Sequence, residues 1–400
     1  MTGIVKSARE IHEQVISWRR ALHEIPEFIF ELHKTSQFVR ERLAEMGIAS
    51  EGIARTGIVA VIKGEAQGRT IALRADMDAI ALREETGLPY ASRHDGYMHA
   101  CGHDAHMAMV LGAAKILSEH RRDLRGNVKL LFQPAEEHQG GARQMIEEGC
   151  LENPKVDAIL GLHVGPLFEQ VGTGVIGIHA GTIMASIDTF FVKVRGRGGH
   201  SAMPHRSIDP ITTASAMIGG LQTIISRELN PSHPAVITIG SIKGGTSPHI
   251  IPEGVEFGGT VRTVHENDRT YIEKRIKEVC RSMAGANRAE VEIDFRNYYP
   301  TTVNHREFTR FFLKSVEKVV TKENVVELDE PHMGGDDMAY FLELVMGNYF
   351  ILGSNNPTKG IVHPNHHPRF NLDEDVLWIG PAVFAQAAFD FLNGNFEPLS

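Results

Sequence analysis

The chain is organised around the stretch HACGHDAH at residues 99–106, which brings one thiol and three imidazoles into eight residues. An apolar run typical of a helix follows over residues 107–117. If the backbone before that helix is extended, successive side chains alternate, and Cys101 and His103 point the same way. Asp104 is the residue type expected at the N-cap of the helix. A thiolate and a neutral imidazole at this spacing are natural metal ligands, although a buried cysteine beside an ordinary helix start gives the same pattern.

Length and composition set the broad class of protein. A chain of 400 residues exceeds one comfortable hydrophobic core and predicts two domains. With 42% hydrophobic and 23% charged residues, we expect a soluble globular protein without an apolar run long enough to span a bilayer. Residues 1–20 are charged and amphipathic, which does not match a signal peptide.

Cysteine content and net charge indicate the cellular compartment and exclude some classes of binding partner. Cys101, Cys150 and Cys280 are too scattered for a disulfide framework, which predicts a reducing, cytoplasmic compartment. The net charge of −9, with no basic stripe, argues against nucleic acid as a partner. We therefore expect a small-molecule substrate and neither a nucleic-acid nor a membrane partner.

In the first part of the chain, polar residues follow apolar runs. Strands are predicted at residues 57–63, 70–74, 127–132 and 156–162, and helices at about 4–22, 32–46 and 140–149. The segment RADMD (74–78), the expected loop QPAEE (133–137) and His163 all stand where such strands end. Ligand-binding residues collect at the carboxyl ends of strands in open α/β sheets, so we predict an α/β sheet with a site along one edge.

The pattern of predicted strands and helices changes near residue 185. Strands at 188–195, 235–243, 255–262 and 289–297 and helices at 208–228 and 267–283 follow in the order β-α-β-β-α-β, which predicts a ferredoxin-like α+β sandwich. The first domain resumes near Tyr299 and closes with helices at 306–319, 338–345 and 374–392 and a strand at 348–352. We therefore predict a discontinuous catalytic domain (1–185 and 298–400) with an inserted domain (186–297).

Potential ligands recur where the predicted strands and helices end: Cys101, His103, Glu137, His163 and the segment HPNHHP at 363–368. Each alone has an ordinary explanation, since a histidine after a strand is usually a satisfied loop residue and paired glutamates are usually solvated. Together they predict a metal site with enough ligands for two ions. Glu136 and Glu137 can have different roles: one can bind metal while the other acts as general base toward a metal-activated water.

Seven segments resemble those of one family: LHEIPE (22–27), RADMDA (74–79), HACGHDAH (99–106), FQPAEE (132–137), GLH (161–163), GRGGHSAMP (196–204) and HHPRF (366–370). In this order they resemble the amidohydrolase branch of the aminoacylase and carboxypeptidase-G-like dimetal metallopeptidases. That branch includes hippurate hydrolases, N-acyl-amino-acid amidohydrolases, N-acetyldiaminopimelate deacetylases and auxin-conjugate hydrolases. The resemblance extends over nearly the whole chain.

The resemblance implies an α/β catalytic domain that holds two divalent ions and an inserted ferredoxin-like lid through which such proteins usually form homodimers or higher oligomers. By matching position, the metal ligands are Cys101, His103, Glu137, His163 and His366. Cys101 stands where related peptidases carry a bridging carboxylate. The ions are expected to be zinc, manganese or cobalt.

The same resemblance implies the catalytic roles. Glu136 is the general base that activates water and then protonates the leaving amine. Asp76 lies beside the metal site, and Arg74 stands where relatives have a metal-binding histidine. His200, on the lid, stabilises the tetrahedral oxyanion and is expected to reach the site of the partner subunit.

Substrate recognition is implied at Arg262, whose guanidinium can pair bidentately with a free α-carboxylate; the alternative is an ordinary arginine at a strand end. His249 stands where the family usually has asparagine, which predicts an altered substrate preference or pH dependence, because an imidazole donates only in the right tautomer or charge state. Asp336 replaces a commoner glutamate, and its role stays open. His106, His138, His363 and His367 are expected to support the site or face solvent.

The sequence thus predicts a cytoplasmic, metal-dependent amidohydrolase that splits N-acyl-L-amino acids, hippurate-like or N-acetyl, into a carboxylic acid and a free amino acid. One alternative is a dedicated deacetylase of N-acetyldiaminopimelate or N-acetylcysteine, and another is a metallo-dipeptidase or carboxypeptidase. A third is an inactive metal-binding homologue. A fourth makes Cys101 a thiol nucleophile with His103 or His163 as its base.

Overall fold

The computed structural model describes residues 3–394 and 396, which form two compact units. The first unit comprises the chain up to Ile183, Thr302–Glu330 and the chain from Asp336 onward. The second comprises Met184–Thr301 and Pro331–Gly335. These bounds lie a few residues from the division predicted from sequence, and the short segment Pro331–Gly335 joins the second unit in addition.

The described residues form eleven α-helices: α1 Gly3–Glu10, α2 His12–His23, α3 His33–Glu45, α4 His103–Glu119, α5 Glu136–Gln139, α6 Gly141–Glu147, α7 Pro210–Thr223, α8 Glu266–Ala286, α9 Arg306–Val316, α10 Met338–Leu344 and α11 Ile379–Leu392. Short 3₁₀ turns lie at Arg121–Asp123, Pro204–Arg206, Lys322–Asn324, Pro357–Lys359 and Glu374–Val376, and a π turn, Ile224–Glu228, extends α7.

The strands of the same residues are β1 Ser50–Ile53, β2 Gly57–Lys63, β3 Ala66–Asp76, β4 Arg125–Gln133, β5 Ala158–Val164, β6 Ile176–Ile178, β7 Thr182–Met184, β8 Ser186–Arg195, β9 Gly199–His200, β10 Ala235–Gly244, β11 Ile250–Ile251, β12 Gly254–Thr263, β13 Glu290–Tyr299, β14 Thr302–Val303, β15 Val325–Glu327 and β16 Met346–Leu352.

The first unit is built on a mixed sheet with the strand order β1-β2-β4-β3-β5-β16-β6-β15. Its centre, β4-β3-β5-β16, is parallel, whereas β1 and β2 are antiparallel additions at one side. The strand β5 is buried along its whole length, as expected for a parallel strand covered on both faces. The carboxyl ends of β3, β4 and β5 therefore meet at one edge of the sheet, which is where the predicted ligands follow.

Helix α4 packs against α2 and α11, and nearly all of its residues are buried. The segment Glu374–Leu392, which contains α11, is long and apolar enough to cross a membrane by length and composition alone. The expectation that the chain has no such run was therefore wrong. Since 83% of its apolar window is buried inside the protein, this segment is a core element of the first unit.

The second unit has a four-stranded sheet in the order β10-β12-β8-β13, antiparallel throughout. Residues along β8 alternate in burial, and the buried side packs with α7 and α8 around Phe190, Val192 and Ile276. The chain order β8-α7-β10-β12-α8-β13 is the predicted ferredoxin-like sandwich. The fold class, an α/β catalytic part with an inserted α+β part, is confirmed.

Two local predictions were wrong. Helix α4 begins at His103, and the residue before it, Gly102, has a left-handed backbone with φ 88°. A turn therefore joins Cys101 and His103, so the condition of an extended backbone is not met. The prediction of Asp104 as the N-cap is wrong, because this residue lies inside the first helical turn. The segment around Glu136 was expected as a loop, but Glu136 begins the short helix α5, after Ala135 at φ 55°.

Candidate metal centre and active site

Five side chains of the first unit form two overlapping donor sets. In one set, ligand atoms of Cys101, His103 and His163 lie within 4.8 Å of one another, and in the other those of Cys101, Glu137 and His366 do. The Cys101 Sγ atom lies 3.3 Å from the Nε2 atoms of both His163 and His366. The His366 Nε2 atom is also 3.3 Å from Glu137 Oε1. The thiol thus belongs to both sets, as a ligand shared by two ions would.

The chain reaches this arrangement through turns that favour glycine. Gly102 separates Cys101 from His103, and a Cβ atom added to it would lie 2.4 Å from Cγ2 of Val164. His366 itself has φ 65°, an uncommon conformation for a side chain of its size. His163 lies near the end of β5, where the sheet fixes its direction.

Hydrogen bonds fix the tautomers of two imidazoles. His103 Nδ1 donates to the backbone oxygen of Asp78 over 2.8 Å, and His163 Nδ1 donates to that of Val164 over 2.7 Å. Because a carbonyl only accepts, Nδ1 carries a proton in both rings, and Nε2 is the nitrogen that offers a lone pair when the ring is neutral. This is the state in which histidine binds metal, with the second nitrogen held by the protein.

An unpartnered atom supports a cation at the same place. Among the described residues, His103 Nε2 is buried without a hydrogen-bond partner and lies 3.9 Å from Glu137 Oε1, whose own contact is the imidazole of His366. Burial, and then the carboxylates of Glu137, Glu136 and Asp76, raise the pKa of the Cys101 thiol well above its usual value. A thiolate is stable beside these carboxylates only next to positive charge, so the donor chemistry fits divalent metal ions.

Asp76, predicted to lie beside the metal site, is fully buried and 3.8 Å from His103 Nε2. It accepts from His106 Nδ1 over 2.6 Å and pairs with Arg74 Nη1 at 2.7 Å. Burial opposes ionisation, but His103, His106 and Arg74 hold the pKa of Asp76 well below its usual value. His106 Nε2 accepts from the backbone N–H of Val164 at 3.0 Å, so the protein engages both of its nitrogens.

Glu136 is buried beside the donor set. Its carboxylate lies within 4.8 Å of those of Asp336 and Asp337, and it also groups with His103 and Glu137. Burial, and then Asp336, Glu137, Asp337 and Asp78, raise the pKa of Glu136 well above its usual value. A carboxyl group that holds a proton readily, next to metal donors, suits transfer of a proton between water and a leaving group.

Sequence reasoning missed two residues that organise this carboxylate group. Asp78 accepts from the backbone N–H groups of Glu136 and Glu137 at 2.9 and 3.1 Å, so it fixes the start of α5. Asp337 pairs with Arg74 Nη2 at 2.8 Å. Asp78 could have been noticed, because it is the second aspartate of the segment RADMD after β3, whereas no local pattern singles out Asp337.

Asp336, whose role the sequence left open, belongs to the same group. Its Oδ1 atom lies 3.2 Å from Arg74 Nη2, and its other oxygen accepts from the hydroxyl of Tyr349. Arg74 therefore faces three carboxylates, those of Asp76, Asp336 and Asp337, and it balances the negative charge around Glu136.

His200, His249 and Arg262 belong to the second unit, whereas the donor set belongs to the first. His200 lies in β9, which pairs with β11, and the backbone N–H of Ser201 donates to the oxygen of His249 at 3.1 Å. His200 and His249 are therefore exposed neighbours on one ribbon. The N–H of Ala202 donates to His200 Nδ1 over 3.1 Å, which leaves Nε2–H as the donor of the neutral ring.

Arg262 lies near the end of β12 and is half-buried. Its Nη1 donates to the backbone oxygen of Met333 at 3.0 Å, which anchors one side of the guanidinium. Burial lowers its pKa from the usual arginine value. The remaining edge of the guanidinium offers donors in the fork geometry that matches a carboxylate.

The sequence model of Peptidase family M20/M25/M40 matches residues 72–390 of this chain. The chain is 40% identical to Thermostable carboxypeptidase 1 of Saccharolobus solfataricus over 390 residues, which cover 96% of this chain and 97% of that protein. It is 39% identical to an N-acetyl-L-cysteine deacetylase of Bacillus subtilis, covering 97% of this chain and 90% of the relative.

Among solved structures, the fold matches a Bacillus subtilis protein described as a dinuclear metal binding peptidase from the M20 family. The TM-score is 0.83 at 35% identity, and the match covers 96% of this chain and 99% of that one. The family and the class of enzyme predicted from the seven segments are confirmed. The chain belongs to Peptidase family M20/M25/M40 and is a metal-dependent hydrolase.

Proposed function

We propose that the protein hydrolyses the amide bond of N-acyl-L-amino acids, hippurate-like or N-acetyl, and releases a carboxylic acid and a free amino acid. The observation that carries the proposal is the position of the buried Glu136 carboxyl beside the unpartnered His103 Nε2 atom and the carboxylate of Glu137. Two divalent ions (zinc, manganese or cobalt) held by Cys101, His103, Glu137, His163 and His366 would act as Lewis acids and lower the pKa of a water molecule.

Glu136 moves the proton in this proposal. It accepts a proton from the attacking water and returns it to the nitrogen of the leaving amino acid. Its raised pKa supports the second step, because the carboxyl then holds the proton long enough to deliver it. Asp78 keeps Glu136 and Glu137 in fixed relation by binding both of their backbone N–H groups.

The second unit supplies the remaining groups. In this proposal Nε2–H of His200 donates to the developing oxyanion at the site of the partner subunit, and Arg262 pairs with the free α-carboxylate of the substrate. An N-acetyl amino acid and the carboxyl-terminal residue of a peptide share this carboxylate next to an acylated nitrogen. The deacetylase and carboxypeptidase relatives support that shared feature, so a carboxypeptidase activity is the second candidate.

The alternative in which Cys101 is a nucleophile disagrees with its surroundings. A nucleophilic thiol needs a lowered pKa and access to the substrate. Cys101 is buried, and the neighbouring carboxylates raise its pKa. We therefore assign it to metal binding.

Assembly and compartment are part of the proposal. We propose a homodimer formed through the second unit, whose edge strand β10 is largely exposed. A cytoplasmic location is supported by Cys101, Cys150 and Cys280, which are all buried and free.

Metal-stripped protein should be tested on benzoyl-, acetyl- and indoleacetyl-amino acids and on an N-blocked dipeptide, before and after resupply of zinc, manganese or cobalt. We expect cleavage only with metal. Glu136→Gln should bind metal normally but lose about two to four orders of magnitude in kcat. Glu147→Gln, on the exposed face of α6, is the matched control and should behave as wild type. Unchanged turnover in Glu136→Gln, or no cleavage of any substrate with two ions bound, contradicts the proposal.

A further inference from the structure

The N-terminal helix α2 contacts the start of α4 through charged side chains that the function above does not use. Arg19 and His23 lie about one helical turn apart on α2 and reach the same carboxylate, that of Asp104. The Arg19 Nε atom is 2.8 Å from Asp104 Oδ2, and His23 Nδ1 lies 2.7 Å from the same oxygen. All three side chains have an exposed fraction of 0%.

Burying these charged side chains costs free energy, and a contribution to stability alone does not explain it. Transfer of a charged side chain from water to the protein interior costs several kcal/mol even after relaxation, and buried ion pairs are poor net stabilisers. The informative feature is the position of Asp104, which directly follows His103 in the first turn of α4. A carboxylate held by two buried partners therefore fixes the backbone beside a metal donor.

A second connection runs from the same segment to the other side of His103. The backbone oxygen of Glu27 accepts from the N–H of Ala79 at 2.8 Å, directly after Asp78. Asp78 in turn accepts from His103 Nδ1 through its backbone oxygen. The imidazole of His103 is thus held at its ring by Asp78 and at its backbone by Asp104, and both holders are anchored to residues 19–27.

Taking the proposed two-ion site as given, we propose that Arg19, His23 and Asp104 are positioning residues for the metal ligand His103. Because His103 belongs to the donor set with Cys101 and His163, this buried cluster sets the affinity for the ion of that set. The ion of the set with Glu137 and His366 does not depend on it. The function of the LHEIPE segment (22–27) and its neighbour Arg19 is therefore to orient a ligand that lies about eighty positions later in the chain.

Asp104→Asn keeps the shape of the side chain and removes its charge. We expect it to lower the affinity for one of the two ions by about 10–100-fold, the usual effect of losing a residue that orients a metal ligand. His23→Gln removes one contact and should give a smaller loss. Arg19→Met should weaken the binding of the same ion. Arg19→Lys should retain more of the affinity than Arg19→Met because it keeps the charge.

The measurement is titration of metal-stripped protein with cobalt(II) against a competing chromophoric chelator. The two binding steps are assigned by comparison with His366→Ala, which removes a donor of the set with Glu137 only, and the unfolding free energy of the metal-free form is measured in parallel. Asp188→Asn is the matched control, since it breaks a buried pair with Arg269 in the second unit without touching the donors. It should lose stability but bind both ions as the wild type does.

Wild-type affinity and spectra in Asp104→Asn and Arg19→Met would overturn the proposal. An equal loss of affinity for both ions would overturn it as well. If Asp104→Asn does not fold, the milder His23→Gln decides by the same criteria. No turnover is measured, so this result is independent of the proposed function, whose failure would appear as absence of hydrolysis by fully loaded wild-type protein.

Discussion

Gly102 is a position at which the backbone of the candidate metal centre depends on glycine. Its φ of +88° is disfavoured for other residues, and a Cβ atom would lie 2.4 Å from Val164 Cγ2. Gly102→Ala should therefore lower the unfolding free energy by about 1–3 kcal/mol and weaken metal binding, because the turn between Cys101 and His103 must move. Chemical denaturation and cobalt titration measure the two effects.

Gly149 offers a matched control for this substitution. It has nearly the same φ, +90°, but an added Cβ atom would meet nothing within 4 Å. Gly149→Ala should show the strain of a left-handed alanine without any loss of metal affinity. If both variants bind metal equally well, the close approach to Val164 does not shape the site.

At the scale of residues, the sequence pointed to the donor types but not to their local geometry. His366 was selected within residues 363–368 by the family resemblance, whereas Cys101, His103, Glu137 and His163 could be singled out because sulfur, imidazole and carboxylate recur where strands and helices end. The left-handed turn at Gly102 could not, since glycine is common and its φ depends on tertiary contacts such as that with Val164. Asp104 is of a residue type common at N-caps, but its partners, Arg19 and His23, lie far away in the sequence and could not be inferred from it.

Among the described elements, β8 and α8 of the second unit are joined by a buried ion pair. Arg269 Nε and Nη2 donate to the two carboxylate oxygens of Asp188 at 2.8 and 2.7 Å, and Asp188 is fully buried. Asp188→Ala removes the buried partner of the guanidinium, leaving only the exposed Glu266 at 3.3 Å, and should cost about 3–5 kcal/mol of unfolding free energy. Replacing Arg269 by methionine in the same variant should recover part of that loss, because no uncompensated charge then remains.

An exposed ion pair in the same sheet tests whether burial is the cause. Lys193 Nζ lies 2.8 Å from Glu256 Oε1, with both side chains largely exposed. Glu256→Gln should leave the unfolding free energy nearly unchanged. Denaturant unfolding compares the variants, and a loss as large for Glu256→Gln as for Asp188→Ala would show that sheet pairing, not desolvation, sets the cost.

Elements with a strong pattern were predictable, and short ones were not. The buried strand β5 and the alternating strand β8 follow the periodicities of covered parallel and half-exposed antiparallel strands. The three-residue strands β6 and β15 are too short to show a period, and they exist because neighbouring strands offer backbone partners. The short helix α5 escaped prediction because the side chain of Asp78, contributed by another segment, caps it.

For the whole molecule, the donor set joins segments that are distant in the chain. Cys101 and His103 precede the second unit, as do Glu137 and His163, whereas His366 follows it. An unfolded chain does not hold these donors together, so ions that bind only the folded first unit stabilise it. Because the second unit contributes none of the five residues, the effect should be confined to the first unit.

Metal removal should therefore lower the thermal stability of the first unit. At a free ion concentration of about 100 times Kd, binding of one ion adds about 2.7 kcal/mol, which chelation removes. Scanning calorimetry should show a transition that rises with metal concentration, while unfolding of the second unit, followed by hydrogen exchange of β8, should not follow it directly. His163→Ala should abolish the metal-dependent rise, and Glu147→Gln should keep it. A rise of equal size in His163→Ala would mean that the ions bind elsewhere, and the assignment of the donor set would be wrong.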